Sequence, residues 1–124
     1  MDFEAFKVKL YALVPAGTVF SNPGGGTSEV LSVSDEAVSY RRGKSKINVS
    51  LRDLFDAYWV YRGHSVTSTD LKSFRPAVFD SQSKPAGHSC NCTFLFLLLL
   101  QFGVVSDIQG NGVKGCPYVV KIQL

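Results

Sequence analysis

The chain has 124 residues, 45% of them hydrophobic and 19% charged, with thirteen Lys and Arg against ten Asp and Glu for a formal charge of +3. That size and balance describe one globular domain with a single core and exclude both a disordered segment and a polybasic tail. Three cysteines, an odd count, do not make a disulfide framework, and reduced thiols in a cytoplasmic protein are the expectation. The acidic, amphipathic start MDFEAFKVKL is unlike an export signal.

Residues 2–14 read as a first helix. Phe3, Phe6, Leu10 and Leu13 form its apolar stripe, Asp2 caps it and Pro15 stops it. Thr18-Val19-Phe20 then runs into Asn22-Pro23-Gly24-Gly25-Gly26, a flexible turn. Phosphate binding there is the sharper alternative, but the Walker pattern needs a lysine that is missing before Thr27 and Ser28. From Glu29 to Val49 the period falls to two, giving a small antiparallel meander with a turn at Ser34-Asp35-Glu36. Its last bend carries four cations in six residues: Arg41, Arg42, Lys44 and Lys46.

Ser50 caps a second helix with Leu51, Leu54, Phe55 and Tyr58 on one face and Gly63 placed to end it. Trp59 stands one position off that face, either filling a gap beside the meander or exposed as an anchor for a partner. Thr67 and Asp70 have the spacing of a capping box, and Val66 and Leu71 that of a hydrophobic staple, over a short helix from Ser68 to Phe74. Pro76 forbids its continuation, and Val78 and Phe79 dock the connector.

After the polar loop 81–87 comes HSCNCTFLFLLLLQFG. Phe94 to Leu100 are all apolar, too few for a membrane span, and four consecutive leucines favour a buried central helix. Its polar first turn, with His88, Ser89, Asn91 and Thr93, is the one part free for function. Gly103 stops the helix. Val104 to Ile108, a tip at 110–115 rich in glycine, and the alternation of Tyr118, Val120 and Ile122 predict a C-terminal hairpin.

From Ser50 onward the order is helix, tight turn, short capped helix, loop, longer helix and hairpin, which resembles a winged helix-turn-helix domain. The resemblance implies a reading helix that begins at His88 and a wing tip at residues 111–115. The combination with a basic, strand-rich segment is similar in style to small modules of bacterial restriction and phage-defence proteins. The expected architecture is therefore α+β: residues 1–49 a helix plus β-meander, residues 50–124 a winged-helix-like half around the central helix.

Arg41, Arg42, Lys44 and Lys46 suit phosphates or serve only to solvate a hairpin tip. Lys84, His88, Ser89 and Asn91 suit anion or base contact at a helix N-terminus, with capping as the plainer role for Ser89 and Asn91, and Lys114 is the wing contact. His88, Cys90, Cys92 and Cys116 supply the donor types of a closed zinc site, but residues i and i+2 of a helix do not face one another. No metal or cofactor is expected. Asp53, Asp56 and Asp70 have helix-surface and capping roles that leave no acid–base pair. The expectation is a non-enzymatic module for double-stranded DNA. The alternative is a protein-interaction module, a subunit or inhibitor of a bacterial or phage complex, resting on Trp59, Tyr58 and Tyr61.

Overall fold

The computed structural model describes residues 1–124. The fold is α+β: α1 (Phe3–Leu13), β1 (Val19–Ser21), β2 (Thr27–Val33), β3 (Ala37–Arg42), β4 (Ser45–Ser50), α2 (Leu51–Tyr61), β5 (Ser65–Thr67), α3 (Ser68–Phe74), α4 (Pro76–Phe79), α5 (Cys90–Gln101) and β6 (Val119–Lys121). The first four strands form an antiparallel meander in the order β1-β2-β3-β4, and β5 pairs with β6 in a second, two-stranded sheet. No helix is long and apolar enough to cross a membrane.

Strand alternation assigns the two faces of the meander. Val30, Val38, Tyr40, Ile47 and Val49 point inward and are buried. Register pairs Glu29 with Arg41 and Arg41 with Lys46, so these three form a charged row across the outer face. Only Gly43 and Lys44 separate β3 from β4. Gly43 has φ +60° and Lys44 has no positive φ, the signature of a type II′ turn, which requires glycine at its first central position.

One core of 28 buried residues runs through both halves of the chain. At its centre lies α5, buried from Asn91 to Leu99. An all-round apolar helix needs partners on every side, and α5 has them. Phe94 stacks on Tyr40 of the sheet with ring centroids 3.9 Å apart, while Phe6 of α1 meets Phe102 edge-on at 5.2 Å. On another side, Cys92 Sγ approaches the carbonyls of Ser68 and Phe79 beside α3 and α4.

The caps follow the local chemistry. Asp2 accepts from the Ala5 amide, Ser50 from the amides of Arg52 and Asp53, and Thr67 and Asp70 complete a reciprocal capping box. The stripe of α1 runs through Phe6, Leu10 and Val14, with Leu13 exposed instead of inward, because the core contacts recur at every fourth residue there.

The C-terminal half departs from the winged-helix expectation in two places. The first turn of α5 is not a wet end: Asn91, Cys92 and Thr93 are buried against the sheet and the α3–α4 segment. The predicted hairpin is also absent as two strands. Residues 104–118 are an irregular loop held by the bridges Gln109–Val119 and Val113–Cys116. The alternation of Val120 and Ile122 is real, but their strand pairs with β5, where Ser65, Val66 and Thr67 face Lys121, Val120 and Val119.

Candidate nucleic-acid interface

The turns at residues 22–26 and 43–44 lie at the same end of the meander, as antiparallel order requires. Between them is a pocket of about 480 Å³ whose walls include Asn22, Gly25, Gly26, Glu29, Arg41 and Arg42, with no hydrophobic residue. Arg42 is shared with a second depression of about 210 Å³, bounded also by Lys72, Ser89, Cys90, Thr93 and Tyr118. Lys72 and Gly112 in turn belong to a third, of about 360 Å³, under Lys114 and Gly115. The three are neighbours, the first two sharing Arg42 and the last two Ser68, Lys72 and Gly112, and together they are termed the groove. Arg41, Arg42, Lys72 and Lys114 lie along it against a single carboxylate, Glu29.

Each cation is positioned differently. Arg42 ends an inward-facing row of β3 and donates to Thr93 Oγ1 at 3.0 Å, which ties the hairpin to α5. Arg41, on the opposite face, is exposed and sits 3.8 Å from Glu29, a loose surface pair. Lys72 projects from α3 beyond the Thr67–Asp70 capping box, and Lys114 stands on the loop rich in glycine.

Tyr118 joins the two glycine segments. A Cβ added at Gly24 would lie 2.7 Å from its hydroxyl, and one at Gly112 would lie 2.3 Å from its ring. Gly112 also has φ +71°, so neither its space nor its backbone admits a side chain.

Beneath Gly26 lies Asn22, 7% exposed. Its Oδ1 accepts from Ser28 Oγ at 2.7 Å, its amide donates to the Gly26 carbonyl and its carbonyl accepts from the Gly25 amide. Its Nδ2 has no partner. A buried donor left unpaired costs about 1–3 kcal/mol and is uncommon in folded proteins.

The groove gathers Arg41, Arg42, Ser89 and Lys114 from the residues expected to bind nucleic acid. Lys44 and Lys46 are exposed at and beside the hairpin turn without lining it. Lys84 and His88 line none of the three depressions. Asn91 must be reassigned. It is 1% exposed, accepts from the Tyr40 hydroxyl and donates to the Val78 carbonyl, both at 2.8 Å, and so can neither read a base nor cap its helix. Ser89 occupies the N-cap position of α5 but makes no capping bond, its hydroxyl being engaged with Ser81 instead.

The chemistry of the remaining candidates is structural. His88, Cys90, Cys92 and Cys116 do not converge, and no three His, Cys, Asp or Glu side chains form a metal-binding group. Burial pushes the Cys92 thiol up to about 12, which leaves it a small hydrophobe at neutral pH. Asp53 and Asp56 both accept from Arg75, at 2.7 and 3.0 Å, an arrangement that pins α2 to the junction of α3 and α4. Trp59 is 44% exposed, with the Arg62 guanidinium 3.3 Å from its ring centroid.

Sequence reasoning missed Lys72 and Tyr118 as parts of the groove and held the Asn22 turn only as an alternative phosphate site. The Asn-Pro-Gly-Gly-Gly run carried the one available signal, since consecutive glycines permit close approach of a ligand to backbone. No protein-family model, curated protein or solved structure matches the chain.

Proposed function

We propose that this chain is a non-enzymatic module that grips the backbone of nucleic acid, double-stranded DNA in the first instance, along the groove from Arg41 to Lys114. One observation carries the reading: four cations from three separate parts of the chain line three neighbouring depressions that contain a single carboxylate. Phosphate neutralisation supplies most of the sequence-independent affinity of DNA-binding proteins, and the guanidinium fork suits phosphate oxygens. Base reading by α5 is not part of the proposal, because Asn91 is interior.

The salt dependence of duplex binding tests it. Four neutralised phosphates give a slope of log K against log salt near −3.6, roughly a 150-fold loss between 50 and 200 mM. Arg41→Gln with Lys114→Gln, both exposed positions, should halve the slope to about −1.8. No duplex binding at low salt, or an unchanged slope in the double variant, overturns the reading.

A protein-interaction role rests on a separate observation, the exposure of Trp59 and Val60 on α2 away from the groove lining. Trp59→Ala would abolish association with a protein partner and leave the salt slope untouched.

A further inference from the structure

We infer that the pocket between the two turns is a built seat for one phosphodiester of the bound strand. The inference deepens the backbone-gripping reading above and rests on it.

The lining decides the class of occupant. With no apolar or aromatic side chain lining about 480 Å³, a nucleobase has no ring to stack on and meets only the Arg41 and Arg42 guanidinium planes. A sugar-phosphate unit requires no such ring. Two uncommitted groups at this turn are donors. Asn22 Nδ2 is unpaired, and the Gly26 N–H above it has no acceptor, its own carbonyl being taken by the Asn22 amide.

Ser28 Oγ donates to Oδ1 and two backbone bonds hold the main chain, an arrangement that directs Nδ2 toward Gly26, whose added Cβ would be 3.9 Å away. Gly25 and Gly26, with φ +108° and +74°, favour glycine, so the buried donor lies beneath backbone and not beneath a side chain. An unpaired donor beneath a glycine turn and beside two guanidiniums suits an oxyanion.

Charge selects which oxyanion. Arg41 and Arg42 face the pocket together with Glu29, so its walls carry one net positive charge. That matches a phosphodiester, which has one negative charge. A phosphate monoester or inorganic phosphate near neutral pH approaches two, and the Glu29 carboxylate opposes the second. Glu29 also lies 3.8 Å from Arg41 across the strand pair, a loose contact that leaves the guanidinium open at the rim.

The test uses the full chain and a dinucleoside carrying one phosphodiester, titrated while the amide spectrum is followed by NMR. The Asn22 side-chain NH2 and the Gly26 amide should move together, and inorganic phosphate at equal concentration should move them several-fold less. Asn22→Asp keeps the acceptor for Ser28 and replaces the donor, so it should weaken duplex binding about tenfold or more. Because burying a carboxylate there can itself perturb folding, Glu29→Gln supplies the second arm: its outer-face position leaves the core intact, and inorganic phosphate should then bind several-fold better than to wild type.

Absence of dinucleoside shifts at Asn22 and Gly26, or a Glu29→Gln protein with unchanged preference, overturns the seat. If the seat fails while duplex binding keeps its salt slope and its dependence on Arg41 and Lys114, the groove reading survives alone. Shifts at the pocket without any duplex binding support the seat and overturn the groove reading.

Discussion

Replacement of Asn91 by leucine separates an interior clamp from a base-contacting side chain. The volume is nearly conserved, so packing around α5 is disturbed little, but two hydrogen bonds vanish. The Tyr40 hydroxyl loses its acceptor and the Val78 carbonyl loses its side-chain donor. Tyr40 is fully buried and its hydroxyl has no path to solvent in compensation. The orphaned Tyr40 hydroxyl costs about 1–3 kcal/mol, while the Val78 carbonyl keeps the His88 amide and its lost bond costs about 0.5–1.5, so the variant should lose about 1.5–4.5 kcal/mol of a total near 5–15. Urea unfolding followed by far-ultraviolet circular dichroism measures this directly. Tyr40→Phe combined with Asn91→Leu removes one orphan with its partner, so the pair should cost less than the sum of the single changes, with a coupling of about 1–3 kcal/mol. Wild-type stability for Asn91→Leu, together with lost duplex binding, would refute the clamp and return Asn91 to the surface.

Gly112→Ala forces a left-handed alanine and a Cβ into the Tyr118 ring. Gly115→Ala meets only the backbone strain, about 1–2 kcal/mol, since nothing lies within 4 Å of its Cβ. Thermal unfolding should therefore show Gly112→Ala worse by roughly a further 1–3 kcal/mol, and equal costs would show that Tyr118 is not wedged there. The third prediction concerns alkali. The Cys92 thiol ionises near 9 when unfolded and is held up to about 12 by burial, so above its unfolded value the native state binds the extra proton. Its contribution to stability is full below about pH 9 and is lost as pH rises from there toward about 12. The Tyr40 hydroxyl, also raised by burial, acts in the same direction. Unfolding free energies between about pH 8 and about pH 11 should fall less steeply for Cys92→Ala than for wild type, and identical slopes would contradict the buried-thiol account.

Local chemistry was readable along the chain wherever the partners are close in sequence. The caps at Asp2 and Ser50 and the Thr67–Asp70 box each need only three or four consecutive residues. The inward set Val38, Tyr40, Ile47 and Val49 follows from alternation and a two-residue turn. What period cannot reveal is a distant partner. Val120 and Ile122 alternate as a strand must, but nothing in that alternation says that the pairing strand lies at residues 65–67 instead of 104–108. Asn91 looks exposed by residue type, and its burial depends on Tyr40, 51 positions earlier. The basic hairpin was visible at once, whereas its continuation through Lys72 to Lys114 exists only after α3 and the final loop have come together.

Tyr118 has a mechanical consequence for the groove. Its ring is seated against Gly112 while its hydroxyl reaches the Gly24 turn, so two loops that would otherwise fluctuate independently are braced by one side chain. The backbone on either side is anchored as well: the Tyr118 carbonyl accepts from Ser68 at the start of α3, and the next residue, Val119, bonds both ways with Gln109. A groove lined by glycine would ordinarily lose much conformational entropy on closing around a ligand. Here Tyr118 restricts that freedom at Gly24 and Gly112, the two glycines it touches.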